Sequence, residues 1–160
     1  MKKCLYAVLL ISIFVLCCAC GDGSNYLDLS DDAYNMSESE YKDECKRIKY
    51  DDFRYEADYM EKQTKVKCKG EVTEICREED SDSEYFSEYR ISITKEDYGY
   101  GNYSYTDDIY VFYILDKNPK LLEGDIVTLY GEVTKAVTYT TVQNAERTIP
   151  AMVAVYVDIE

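Results

Sequence analysis

The sequence contains no histidine among its 160 residues, and its 18 basic residues face 32 acidic ones. The absence of histidine removes the usual catalytic triads, histidine-dependent acid–base chemistry and the commonest metal ligand. A pair of carboxylates can still hydrolyse a glycosidic bond, but that chemistry needs two acids across a deep cleft, which a domain of this size rarely provides. We therefore expect a protein that is not an enzyme and that holds no cofactor and no metal.

Basic residues are too few to balance the acids, and the formal net charge is −14. Nucleic-acid backbones bind proteins mainly through lysine and arginine. A nucleic-acid-binding chain is also expected to cluster its basic residues, and the predicted strands supply scarcely any. The composition thus predicts that nucleic acid is disfavoured as a partner.

The three cysteines of the folded part, Cys45, Cys68 and Cys76, include no C-x-x-C pair. Neither a zinc ribbon nor a thioredoxin-type redox centre is indicated. In an exported chain, three cysteines allow at most one disulfide and one free thiol. Three small buried hydrophobic residues are the alternative, and the sequence leaves both open.

The N-terminus has the order of a secretory signal, with Lys2 and Lys3, an apolar run from Leu5 to Val15, and Ala19 before Cys20. The apolar run is shorter than the 20 or so residues that a membrane-spanning helix needs. The letters "CCAC" followed by glycine resemble a bacterial lipoprotein box. This resemblance implies lipidation at Cys20 and a location on the extracytoplasmic side of the cell membrane; a signal peptide without lipidation is the alternative.

Three regions follow from these patterns: a lipoprotein signal peptide over 1–19, a flexible acidic tether over 20–36 and a folded domain over 37–160. The tether is rich in glycine, serine, aspartate and asparagine. Such a composition buries too little apolar surface to offset the entropy of ordering. The domain begins where Ser37 and Glu40 form a capping-box pattern.

Two short amphipathic helices are predicted at the start of the domain. Tyr41, Cys45 and Ile48 recur at helical spacing in the first. In the second, capped by Asp51 or Asp52, a shared face is formed by Phe53, Ala57 and Met60. Helices this short must pack on another element.

The rest of the domain is predicted to be mainly β, because five segments either alternate between apolar and polar residues or, as in Ile109 to Leu115, are apolar on both faces. These are Val66 to Val72, Tyr89 to Thr94, Ile109 to Leu115, Ile126 to Val133 and Ile149 to Ile159. Gly70 and Gly131 lie within strands and indicate bulges or bends. Short strands with internal glycines favour a closed antiparallel barrel.

The order of these elements resembles an OB-fold, and more narrowly the exported bacterial proteins of the tRNA-anticodon-like OB family. The segments that carry the resemblance are "EYKDECKRIKYDDF", "VKCKGEV", "DDIYVFY", "LLEGDIVTLYGEV" and the stretch from Tyr139 to Pro150. The resemblance implies a five-stranded OB-fold barrel with short N-terminal helices and no established catalytic residues. Fold likeness of this kind does not transfer a function.

Candidate ligand-binding residues come from two places. The stretch "YGYGNYSY" places Tyr98, Tyr100 and Tyr103 in a loop among small residues, a combination used by adaptable binding loops. The alternative is a long hairpin tip in a chain with 18 tyrosines.

The third strand supplies the second group. Tyr110 and Phe112 are predicted to point outward beside Arg90. OB barrels hold ligands on this face and in the loop between strands four and five, which adds Tyr139. The alternative is that the N-terminal helices cover Tyr110 and Phe112 and make them core residues.

The acidic run from Arg77 to Glu84 lacks the residue order and the central glycine of an EF-hand, which favours a solvated loop over a calcium site. Together these observations predict a non-catalytic, lipid-anchored OB-fold module that binds a protein, peptide or glycan at the cell envelope. Two alternatives are a nucleic-acid-binding OB-fold and a structural subunit of an envelope complex.

Overall fold

The computed structural model describes residues 29–77, 86–114, 119–141 and 144–160. Its helical elements are α1 (Asp32–Asn35), α2 (Glu38–Glu44), a 3₁₀ turn (Tyr50–Tyr55) and α3 (Glu56–Glu61). Its strands are β1 (Lys46–Arg47), β2 (Lys65–Arg77), β3 (Phe86–Gly99), β4 (Asn102–Ile114), β5 (Ile126–Thr140) and β6 (Glu146–Ile159). The predicted signal peptide with Cys20, and nearly all of the acidic run, lie outside the described residues.

The five long strands close into a barrel. Their order is β2-β3-β4-β6-β5, and β5 pairs back onto β2. The β4–β6 pair is parallel, and the other pairs of long strands are antiparallel. This order and these directions are those of an OB-fold, so the prediction of a mainly β, five-stranded OB-fold barrel is confirmed. The two-residue β1 adds a sixth strand parallel to β2.

Closure of the barrel depends on glycine at Gly131. A Cβ atom there would lie 1.9 Å from the carbonyl oxygen of Val153 on β6. The β5–β6 register shifts between Tyr130 and Gly131, so the predicted bulge is present. Gly70 lies on β2, the strand that pairs with β5, and a Cβ there would lie 2.5 Å from the carbonyl oxygen of Ser92 on β3. Both glycines therefore allow close approach of neighbouring strands.

The barrel interior is filled by alternate residues of all five long strands. Fully buried examples are Val66, Tyr89, Ile91, Ile109, Val111, Val127, Leu129 and Met152. Ile48 and Phe53, from the segment around the 3₁₀ turn, belong to the same core. The N-terminal segment thus packs against one end of the barrel.

The capping box at Ser37 and Glu40 is confirmed: the Ser37 hydroxyl accepts from the Glu40 backbone N–H at 3.4 Å, and the Glu40 carboxylate accepts from the Ser37 N–H at 3.2 Å. The second predicted helix differs, since it begins as a 3₁₀ turn. Three residues per turn rotate the helix faces relative to an α-helix, so Phe53 is buried while Ala57 is exposed. None of the described helices is long and apolar enough to span a bilayer.

Residues 29–36 differ from the tether that their composition predicts. They contain α1, and Ala33 is buried against the barrel wall. The buried carboxylate of Glu132 on β5 accepts from the Ser30 N–H at 3.0 Å and from the Ser30 hydroxyl at 2.5 Å. The Tyr41 hydroxyl donates to the same carboxylate at 3.2 Å. Local composition cannot reveal a partner that is 102 residues away in sequence.

All three cysteines of the domain are free thiols. Cys45 and Cys68 are buried, and Cys76 is exposed at the end of β2. Desolvation raises the pKa of Cys76 to about 11, and the neighbouring Glu74 carboxylate acts in the same direction. The alternative of buried, unpaired cysteines therefore holds for Cys45 and Cys68, while Cys76 is unpaired but exposed.

Replacing Gly131 with alanine is expected to destabilise the fold by about 3 kcal/mol, because the methyl group would overlap the Val153 carbonyl. Urea unfolding followed by circular dichroism measures the change. Lys135→Ala, at an exposed position of the same strand, is the control and should stay within about 0.5 kcal/mol of the wild type. Equal stability of the two variants would refute the close approach.

Alkylation of Cys76 by iodoacetamide should rise about tenfold per pH unit from pH 7 to pH 10. Only the thiolate reacts, and a pKa of about 11 keeps the thiol protonated across that range. Mass spectrometry of the Cys76 peptide measures the rate, with the urea-unfolded chain as the reference. A plateau in the folded protein below pH 9 would contradict the raised pKa.

Candidate functional site

Three of the seven predicted ligand-binding residues come together on the outer face of the barrel. Arg90 on β3 is the direct cross-strand partner of Tyr110 on β4. Tyr139, near the end of β5, accepts a hydrogen bond from the Arg90 guanidinium at 3.2 Å, and its ring centroid lies 5.7 Å from the guanidinium carbon. With Glu74 and Cys76 of β2 these residues line a pocket of about 380 Å³, which we term the Arg90 pocket.

The charge of Arg90 is largely neutralised by the protein itself. Its guanidinium forms ion pairs with Glu74 and, at 3.6 Å, with Asp108. Burial alone would lower the pKa of Arg90, but the Tyr139 hydrogen bond and these two carboxylates raise it. Its buried Nε atom has no hydrogen-bond partner among the described residues. The Arg90 pocket therefore offers little positive charge to an anionic ligand.

Tyr110 is also engaged within the protein. Its hydroxyl donates a hydrogen bond to Glu88, and burial together with that bond raises the pKa of Tyr110. Phe112, 5.4 Å from the Tyr110 ring, is only 6% exposed and packs with Leu29 and Val153. Phe112 thus points away from the barrel interior but is buried there, because the segment before α1 covers it, which agrees for this residue with the alternative of a covered face.

The three tyrosines of the β3–β4 hairpin lie apart from the Arg90 pocket. The strands extend much further than predicted, so Tyr100 and Gly101 alone form the tip, with φ values of 56° and 81°. Tyr100 is fully exposed. The Tyr98 hydroxyl donates to Glu96 at 2.7 Å. Tyr103 is half exposed, and the Lys95 ammonium lies 3.8 Å from its ring centroid.

A larger cavity of about 670 Å³ lies between the β3–β4 hairpin and the segment 47–54, and we term it the basic groove. Its apolar part comes from Ile48 and Ile93, and its aromatic part from Tyr50 and Tyr105. Five basic residues line it: Arg47, Lys49, Arg54, Lys69 and Lys95. Among the residues that the structure describes, two acidic ones, Asp51 and Asp107, line it as well. The lining carries three net positive charges in a chain whose net charge is −14.

Two cations of the basic groove, Lys69 and Arg54, form ion pairs with carboxylates that are accessible to solvent. Lys69 pairs with Glu160 at 2.5 Å, a hydrogen bond that raises the pKa of Lys69. Arg54 lies 3.4 Å from Asp51, and both side chains are largely exposed. Exposed ion pairs contribute little and are screened by salt. An anionic ligand can therefore replace these carboxylates at small cost.

Sequence reasoning did not find the basic groove. Its cations lie on β1, the 3₁₀ turn, β2 and the hairpin, and only the closed barrel brings these elements together. The local signal was the stretch from Lys46 to Lys49, where three of four residues are basic. Among the described residues, acids and cysteines form no cluster suited to a metal ion.

Comparisons with known proteins give structural similarity only. No protein-family model and no curated protein matches the chain. A small single-stranded DNA-binding protein from Streptomyces coelicolor is similar, with a TM-score of 0.42 and 15% identity over 60% of this chain and 93% of that chain. A mitochondrial single-stranded DNA-binding protein from S. cerevisiae gives a TM-score of 0.31 and 14% identity over 59% and 92%. The assignment of the OB-fold rests on the strand order and directions.

The expectation that nucleic acid is disfavoured as a partner is wrong in its premise, since basic residues do cluster along one groove of the barrel. The physical reason is that the expectation used the charge of the whole chain. It also assumed that basic residues do not cluster, whereas five of the 18 line the basic groove. Local charge, and not net charge, decides what a groove can hold.

Proposed function

We propose that this chain is a non-catalytic OB-fold module that binds single-stranded nucleic acid in the basic groove. The observation that carries the proposal is the concentration of five basic side chains beside two tyrosines in an otherwise acidic molecule. Proteins that bind single strands without sequence preference combine a positive groove with aromatic rings. Both parts are present here.

A single strand suits the basic groove better than a duplex. In a duplex the faces of the bases are stacked on one another, so only phosphates and groove edges are available. The apolar side chains of Ile48 and Ile93 and the rings of Tyr50 and Tyr105 would then have nothing to contact. In a single strand the phosphates can approach the cations while unstacked bases cover these apolar groups.

A neutral glycan or peptide in the Arg90 pocket is the second candidate. This pocket contains the rings of Tyr110 and Tyr139, the hydroxyl-bearing Thr140 and Thr141, and the carboxylate of Glu74. Aromatic rings and hydrogen-bonding groups suit a polar, uncharged ligand, and the neutralised Arg90 does not favour an anion. This candidate keeps the envelope role that the N-terminal sequence suggests.

We also propose that the module is anchored to the cell membrane through a lipid on Cys20 and acts on the extracytoplasmic side. The support is the order of basic, apolar and small residues before Cys20. Cys20 lies outside the described residues. The ligand in this proposal is nucleic acid outside the cytoplasm.

The first experiment measures binding of fluorescently labelled oligothymidine to the full chain by anisotropy, as a function of salt. The triple variant Lys49→Ala, Arg54→Ala, Lys95→Ala should bind about fiftyfold more weakly at low salt, because three phosphate contacts are lost. The slope of log affinity against log salt should fall in magnitude by about 2.

The matched control is Lys62→Ala, Lys135→Ala, Arg147→Ala, which removes the same charge at exposed positions outside the basic groove. In about 0.1 M salt, where charges are screened over roughly 10 Å, it should weaken binding by no more than about threefold, and much less than the groove variant does under the same conditions. If the two triple variants lose the same amount of affinity, the oligonucleotide binds outside the basic groove. Binding of an oligosaccharide, and of no oligonucleotide, would favour the Arg90 pocket and refute the proposal.

The second experiment tests the anchor. Cys20→Ala should move the protein from the membrane fraction to the soluble fraction, because the lipid attachment point is removed. Cys18→Ala is the control and should leave the protein on the membrane. Fractionation and mass spectrometry of the mature N-terminus provide the readout, and an unmodified N-terminal residue on the wild type would exclude lipidation.

A further inference from the structure

One aromatic ring and two lysines lie together where the β3–β4 hairpin borders the basic groove: Tyr105, Lys95 and Lys69. Lys95 and Tyr105 are direct cross-strand partners. Both line the groove, as does Lys69 of β2. An aromatic ring that shares a groove with lysines can stack on a base while the lysines meet the adjacent phosphates.

Of the hairpin tyrosines, Tyr105 is the one placed for stacking in the basic groove. Tyr103 does not line the groove, and its ring already faces the Lys95 ammonium at 3.8 Å. Tyr98 is engaged with Glu96 and Ser104. Tyr100 is at the tip, in a left-handed conformation and fully exposed.

The ring of Tyr105 is held in place before any ligand arrives. The Tyr103 ring packs edge-on against it, with centroids 6.0 Å apart and planes at 87°. Tyr105 is half-buried, and desolvation raises its pKa, so its hydroxyl stays neutral at physiological pH. A ring that is already ordered loses little entropy on binding, which makes its stacking contact more favourable.

We propose that Tyr105 stacks on a base of the bound strand, and that the basic groove therefore prefers base-bearing strands to polyanions of equal charge. This inference rests on the proposed nucleic-acid function and defines its ligand more narrowly. Charge alone would make the groove accept any flexible polyanion. Tyr105 adds an interaction that only a planar group can satisfy.

The experiment compares a 12-residue oligothymidine with an abasic 12-mer that carries the same phosphates. The full wild-type chain should bind the oligothymidine about tenfold more tightly, since stacking of one base contributes on this scale. Tyr105→Leu should reduce that preference to about twofold by weakening the oligothymidine complex alone. Tyr105→Phe, which keeps the ring, should retain the wild-type preference.

Tyr98→Leu is the matched control on the same hairpin and should leave the preference unchanged. Thermal unfolding of each variant identifies any loss of fold. The inference is overturned if wild type binds both oligomers equally, or if Tyr105→Leu weakens both by the same factor. If wild type binds neither oligomer at low salt, the proposed function fails and this inference with it.

Discussion

Closure of the sheet between β2 and β5 is the constraint on which the other features depend. The seven residues from Lys65 to Glu71 on β2 pair with Glu132 to Ile126 on β5. Gly70 and Gly131 lie on these paired segments, and at each of them a side chain would collide with a neighbouring strand. Because the barrel is closed, the segment around Phe53 can pack against the core at one of its ends. It also places Lys69 and the β3–β4 hairpin beside that segment, which creates the basic groove.

The same closure explains how an acidic chain can carry a positive groove. Salt screens charges over about 8 Å at physiological ionic strength, so a phosphate inside the groove interacts mainly with its lining. Excess acids elsewhere on the molecule lower the potential that an approaching polyanion experiences. They are therefore expected to slow association more than they weaken the contacts once formed.

The sequence was sufficient for features that depend on neighbouring residues. Ser37 and Glu40 predict the start of α2, because a capping box involves only four consecutive residues. Alternation predicts the barrel strands, and the side-by-side placement of Arg90 and Tyr110 follows from it. Strand ends were underestimated at the hairpin, where glycine and asparagine suggest a loop although the ladder continues to Gly99 and Asn102.

Features that depend on distant partners could not be predicted. The composition of the 29–36 segment predicts a flexible tether, yet Ser30 donates hydrogen bonds to the buried carboxylate of Glu132. Phe112 has the alternation of an outward-facing residue, yet Leu29 packs against its cluster. The cations at Arg47, Lys69 and Lys95 are more than 20 residues apart, and no local pattern links them. Each case needs the closed barrel before its partners can be identified.

The most direct test of the central claim is an NMR titration of the ¹⁵N-labelled full chain with a 12-residue oligothymidine at low salt. Chemical-shift changes should concentrate at the amides of Arg47, Lys49, Lys95 and Tyr105, with those of Arg90 and Tyr139 unchanged. Changes centred on Arg90 and Tyr139, or no changes at all, would contradict binding in the basic groove.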